Sequence, residues 1–196
     1  MIIRVDKSLP LAYENDIENA VKEIPYFYAP NTSYAETDPF FEHYITLIKN
    51  SDVIENGQFT HAVLDEGHIV SNLHGFIYPI LYIFAEKAGI TINKITRIKI
   101  NLILQDKTFK NFNYNFPHSD RGTGDKVFLY YINDSDGDTF LFDEYDDCKT
   151  ISDTFTVNDR ITPRKGTGVF FEANRFHASS NPAISQNRYV INFNFI

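Results

Sequence analysis

Residues 95–104 alternate: Ile98, Ile100, Leu102 and Leu104 fall on one side, Arg97, Lys99 and Asn101 on the other. A period of two predicts a strand with one buried face. Before residue 93 the period is mostly helical. Ile17, Ala20, Val21 and Ile24 predict a helix over 15–24, ended by Pro25. Asp38-Pro39 can cap and open a second helix, with Phe40, Phe41, Tyr44, Ile45 and Ile48 as its buried stripe to about Lys49. Phe76, Ile77, Ile80, Leu81 and Phe84 predict the longest helix, 72–88, with Gly89 as its stop. Short strands are expected at 2–5 and 58–64, and a loop at 25–38.

After residue 93 the expected strands are 95–104, 112–120, 127–133, 139–143, 168–172 and 188–196, with a hairpin near 155–159. Turn signals separate them, as in Arg121-Gly122-Thr123-Gly124-Asp125 and Asp134-Ser135-Asp136-Gly137-Asp138. Seven or eight short strands spaced this way imply a jelly roll. The expectation is one domain, 1–196. In it, 1–92 is mainly helical support and 93–196 the sheet core, an α+β arrangement with the N-terminal helices on the major sheet.

Composition narrows the function classes. An apolar fraction of 43%, with 18 Phe and 12 Tyr, is enough for a sizeable core. The net charge of −8 argues against a nucleic-acid partner, which calls for a basic face. Cys148 is the single cysteine, so no internal disulfide can form and a reducing compartment is expected. Met1-Ile2-Ile3-Arg4 does not read as a signal peptide, and no apolar run reaches transmembrane length. A cytoplasmic protein with no membrane association is the expectation; the oligomeric state is left open.

The candidate chemistry begins at Phe116-Pro117-His118-Ser119-Asp120. With six His in the chain, an H-x-D spacing alone says little. On a strand, however, His118 and Asp120 share a face. His177 stands well downstream, and Arg188 follows it at the head of the last apolar run. Two His and one carboxylate with open positions form the facial triad of non-heme Fe(II) sites. An Arg nearby suits a carboxylate co-substrate. His43, His61, His68 and His74 are read as ordinary surface or packed histidines.

Residues 94–196 resemble the double-stranded β-helix of the 2-oxoglutarate- and Fe(II)-dependent dioxygenases, in the prolyl 4-hydroxylase-like branch. The resemblance rests on an ordered set. Phe116 to Asp120 is similar to the metal strand, and Leu129-Tyr130-Tyr131-Ile132-Asn133 to the strand after it. Asp136 to Phe142 is similar to the glycine-led strand, with Asp138 where a second Gly is usual. Pro163-Arg164-Lys165-Gly166 to Phe171 resembles the lead-in to the distal His. His177 to Pro182 and Arg188 to Phe193 resemble the final motif.

The resemblance implies Fe(II) held by His118, Asp120 and His177, and 2-oxoglutarate gripped at its far carboxylate by Arg188 and Tyr131. Asn101 is a further candidate for touching the co-substrate, and Tyr114 an unplaced one. O2 is the oxidant and ascorbate a candidate reductant. The implied activity is hydroxylation of an unactivated C–H bond, foremost of a prolyl residue in a peptide or protein, with succinate and CO2 released. The alternatives are hydroxylation of a free amino acid or other small molecule, and a non-catalytic metal-binding β-helix domain. Nucleobase demethylation places a second Arg beyond the first, at the position where this chain has Asn194. The segments 26–38 and 104–115, with Arg121, are the expected substrate rim, supported by Tyr114, Phe116, Arg175 and Phe176.

Overall fold

The computed structural model describes residues 1–32, 53–54, 56–120, 122–147 and 154–196. The helix expected at 39–49, His43, Arg121 and Cys148 lie outside them. Two helices and eleven strands are described. They are β1 (Ile3–Val5), α1 (Leu11–Lys22), β2 (Phe27–Ala29), β3 (Gln58–Asp65), β4 (His68–Ile69) and α2 (His74–Ala88). Then come β5 (Ile95–Leu104), β6 (Lys126–Tyr131), β7 (Thr139–Tyr145), β8 (Val157–Ile161), β9 (Thr167–Glu172), β10 (Arg175–Ser179) and β11 (Asn187–Phe195).

The strands form two antiparallel sheets. The larger has the order β1-β9-β6-β11-β5-β3-β2, with β4 on β3; the smaller has the order β10-β7-β8. The alternation read in β5 decides what each face meets. Ile98 and Ile100 join Phe128, Tyr130, Ile191 and Phe193 in one buried cluster with Ile17 and Val21 of α1 and Ile77, Ile80, Leu81 and Phe84 of α2. The Phe84 ring lies 5.1 Å from Phe128 and 5.5 Å from Tyr130. On the opposite face Val127, Leu129, Tyr131, Val169 and Val190 pack against Leu141 and Ile161 of the smaller sheet. This is a jelly roll: two sheets closed over a core, with helices outside. The larger sheet's inner face is apolar toward β6 and β9 and polar along β5 and β11.

Several local expectations need correction. Residues 112–120 do not form a regular strand. Among the described residues two isolated bridges occur there, Tyr114 with Val53 and His118 with His177. Pro117 has no N–H to donate, and Asn113 N–H turns back to the Lys110 carbonyl, so a continuous ladder cannot run through. The segment instead caps the outside of the smaller sheet, where Tyr114 and Phe116 join Phe140, Phe142 and Phe176. β10 was not expected; it pairs with β7 through His177, Ala178 and Ser179. β2 interrupts the loop at 25–38. α1 starts earlier than the expected helix, because its first residue, Leu11, is exposed and carries no periodic signal. α2 ends where Gly89 takes a left-handed conformation, φ 67°.

Candidate metal and anion site

The two histidines are brought together by backbone pairing. His118 N–H donates to the His177 carbonyl at 2.9 Å, and His177 N–H to the His118 carbonyl at 2.8 Å. That two-residue bridge sets the imidazole centroids 4.4 Å apart. Each Nδ1 lies beside a carbonyl, His118 by Phe116 (3.1 Å) and His177 by Arg175 (3.2 Å). A carbonyl can only accept, so Nδ1 carries the proton and each Nε2 keeps its lone pair. Asp120 completes the group: one ligand atom from each of the three lies within 4.8 Å of the others.

Asp120 is almost fully buried, and its carboxylate is well supplied with donors. Arg97 Nη2 donates to Oδ1 at 3.1 Å; the Asn192 and Asn194 amides donate to Oδ2 at 2.9 and 3.0 Å. Burial pushes the Asp120 carboxyl up. Arg97, the two imidazoles and the Asn192 hydrogen bond outweigh it and hold the group well below the usual carboxylate range. Burial pulls His118 down to about 3, helped by His177 and opposed by Asp120. It also lowers His177, again against Asp120. At neutral pH the cluster is therefore two neutral imidazoles and one ionised carboxylate. Three donors occupy a carboxylate with about four lone-pair sites, which leaves one toward the imidazoles. This donor set fits a divalent iron ion with open coordination positions.

A second cluster lies toward the start of β11. Arg188 is buried, and its Nη2 donates to Thr139 Oγ1 at 2.7 Å. Tyr131 donates to the same oxygen at 2.9 Å. Arg188 Nε has no partner among the described residues. Burial lowers the guanidinium's pKa, against Tyr131 and Asp138; it raises that of the Tyr131 phenol, against Arg188. A buried cation with an unused N–H suits a carboxylate ligand. One cavity joins the two clusters: His118, His177, Asn192, Arg188, Thr139, Asn101 and Lys99 all line it, with Gln58 and Thr32 at the β3 side. Asn101 Oδ1 is buried without a partner among the described residues.

The structure thus brings His118, Asp120, His177, Arg188, Tyr131 and Asn101 to one inner face and its rim. It sends other candidates elsewhere. The Tyr114 ring packs on Phe140 and Phe142 at 5.2 and 5.1 Å, and Phe176 packs on Phe155. Arg175 is buried, bonded to the Phe142 carbonyl and the Tyr145 hydroxyl. These residues are core outside the smaller sheet rather than rim. His61 is held between the Pro25 carbonyl and Ser71. Arg97, Lys99, Thr139, Asn192 and Asn194 were not singled out from sequence. Their signal was there in part: a period of two puts Arg97, Lys99 and Asn101 on one face of β5, and Arg188, Asn192 and Asn194 on one face of β11.

This fold is the one found in the 2OG-Fe(II) oxygenases. Among solved structures the chain is similar to a prolyl hydroxylase from Trichoplax adhaerens, in complex with a hypoxia inducible factor oxygen degradation domain peptide fragment. That match has a TM-score of 0.59 at 12% identity and covers all of this chain and 83% of that one. A Pseudomonas putida prolyl-4-hydroxylase matches with a TM-score of 0.52 at 12% identity, over 99% of this chain and 91% of that one. An oxidoreductase of the 2OG-Fe(II) oxygenase family from Burkholderia pseudomallei matches with a TM-score of 0.50 at 13% identity, over 92% and 89%. No family model and no curated protein matches the chain. Among the described residues, no helix is long and apolar enough to cross a membrane.

Proposed function

We propose that residues 1–196 form a single Fe(II)- and 2-oxoglutarate-dependent dioxygenase domain that hydroxylates an unactivated C–H bond. The carrying observation is one cavity lined by His118 and His177, which cluster with Asp120, and by buried Arg188, whose Nε has no partner among the described residues. His118, Asp120 and His177 would hold the iron. Arg188 would grip the far carboxylate of 2-oxoglutarate, with Tyr131 and Thr139 fixing the guanidinium's position. The bound iron and co-substrate supply the oxidation: O2 and 2-oxoglutarate give succinate and CO2, and the substrate C–H becomes C–OH. The protein's own residues set geometry. Asn192, Asn194 and Arg97 aim Asp120, and the backbone bridge aims the two imidazoles.

A prolyl residue in a peptide or protein is the preferred substrate of this reading. It is supported by the likeness of fold to two prolyl hydroxylases, one of them peptide-bound. A free amino acid or other small molecule is the second reading; it is favoured by Lys99, a cation lining the cavity with no ion-pair partner among the described residues. Ascorbate fits as a reductant, and a reducing, cytoplasmic setting fits a single cysteine. The test is to incubate iron-loaded protein with proline-containing peptides, free proline and other free amino acids, following succinate and the mass gain of one oxygen atom. Asp120→Ala should abolish turnover, and His177→Ala should sharply lower bound iron. If both variants keep wild-type iron and activity, the residue assignment is wrong. Hydroxylated free amino acid with unmodified peptide would move the substrate to the second reading.

A further inference from the structure

The inner face of β5 carries two cations, and only one of them is spent. Arg97 donates to Asp120 and, through Nε, to Asn194 Oδ1 at 2.9 Å. Lys99, the next residue on that face, lines the cavity with His118, His177 and Asn192. Among the described residues, no carboxylate lies within ion-pair reach of its ammonium and no hydrogen bond engages it. Asp120 is near enough to be felt, but its donors are Arg97, Asn192 and Asn194. Burial lowers the Lys99 ammonium to about 8, with Arg97 adding to the effect and Asp120 opposing it. A charge held in a poorly solvated cavity without a counter-ion is costly unless a ligand provides one.

Its place in the sheet says where that ligand group sits. Lys99 is paired with Asn192 on β11, the residue that holds Asp120; Arg188 is paired with Ile103. Lys99 therefore stands at the level of the triad, two inward-facing positions along the sheet from Arg188. That separation is about 14 Å between backbone positions. Lys99 and Arg188 line the same cavity from those two levels of the sheet.

We infer that Lys99 is a second anion anchor, taking a carboxylate at the triad end of the cavity while Arg188 takes one at the other end. This rests on the oxygenase reading above. The carboxylate has two possible sources: the metal-proximal end of 2-oxoglutarate, or an acidic group on the primary substrate.

Calorimetric titration of Mn(II)-loaded, oxygen-free protein distinguishes them. The ligands are 2-oxoglutarate and 2-oxopentanoate, which keeps the proximal carboxylate and ends in a methyl group. The variants are Lys99→Met, Lys99→Arg and Arg188→Met. If Lys99 holds the co-substrate, Lys99→Met weakens both ligands by about tenfold or more, Lys99→Arg restores most of the loss, and Arg188→Met weakens 2-oxoglutarate alone. If Lys99 instead holds the substrate, Lys99→Met leaves both affinities unchanged. It then raises the KM of a free-acid substrate by about tenfold or more, and not that of its amide. Unchanged ligand affinity and unchanged KM overturn the inference. Wild-type protein that binds no 2-oxoglutarate with metal present overturns the oxygenase reading itself, a different result. Lys99→Met removes a partly buried charge that has no ion-pair partner among the described residues, so its urea midpoint should match or exceed wild type; this separates a binding loss from misfolding.

Discussion

Acid should destabilise the metal-free protein, and His118 should supply a defined share of the effect. Burial holds His118 at about 3, against an ordinary value of 6.5. The sign follows from proton counting. Between those two values the unfolded chain binds a proton at this position and the folded chain does not. Stability therefore rises with pH across the window, and it is lost as pH falls below 6.5. One proton corresponds to about 1.4 kcal/mol per pH unit, so lowering pH from 6.5 to 4.5 costs about 2–3 kcal/mol. That is a large part of a total stability of about 5–15 kcal/mol. His177 acts in the same direction. Asp120, whose pKa is depressed in the fold, contributes stability above the unfolded carboxylate value and begins to lose it below about pH 4. The assay is urea unfolding with a chelator present, at pH 7.5, 6.5, 5.5 and 4.5, on wild type and His118→Gln. The variant's stability should fall less steeply by about one proton's worth. Parallel pH dependences in the two proteins would refute the reasoning.

Four further outcomes are expected. Arg188→Lys keeps the charge and loses the planar fork, so 2-oxoglutarate should bind about ten- to a hundred-fold more weakly, and Tyr131→Phe should cost less, about 0.5–1.5 kcal/mol; calorimetry reads both. Asn194→Ala removes one of three donors to Asp120 and should weaken metal binding about ten- to a hundred-fold, read by Mn(II) titration. Gly124→Ala should destabilise the fold by about 1–3 kcal/mol in urea, because the new Cβ would lie 2.8 Å from the Phe195 backbone nitrogen, which has no flexible end to give way.

The parts of the molecule that were legible in sequence are those where one face is wet and one is dry. β5 alternates as expected through Ile98 and Ile100, but at its end Leu104 is exposed and Ile103 is buried in its place. α2 shows its stripe and its Gly89 stop. His118, Asp120 and His177 stood out because their residue types are chemically rare together in this order. Residues 112–120 depart from their pattern: Phe112, Tyr114 and Phe116 alternate like a strand, while Pro117 and the asparagine turns forbid the ladder. Tyr114 and Phe116 suggest a rim only because aromatic side chains suit a peptide-binding surface. Their burial against β7 depends on β10 folding over from a distant part of the chain, which no local pattern encodes. Asn192 and Asn194 sat inside a recognised strand and were still not assigned work. Their role appears only when Asp120, far back in the chain, arrives opposite them.

The position of β11 in the larger sheet has a consequence for synthesis. It lies between β6 and β5, paired to both along most of its length. β5 is complete at Leu104, yet its inner neighbour begins only at Asn187. At about 5–20 residues per second, the ribosome needs roughly 4–17 s to deliver it. During that interval β5 and, once made, β6 each present an open edge, the surface on which a nascent chain is most prone to pair with the wrong partner. Because Arg188, Asn192 and Asn194 travel on the late strand, neither Asp120 nor the anion end of the cavity can be set before it docks. A ribosome-arrested chain stopped at residue 185 should therefore be protease-sensitive throughout β5 and unable to retain a metal ion.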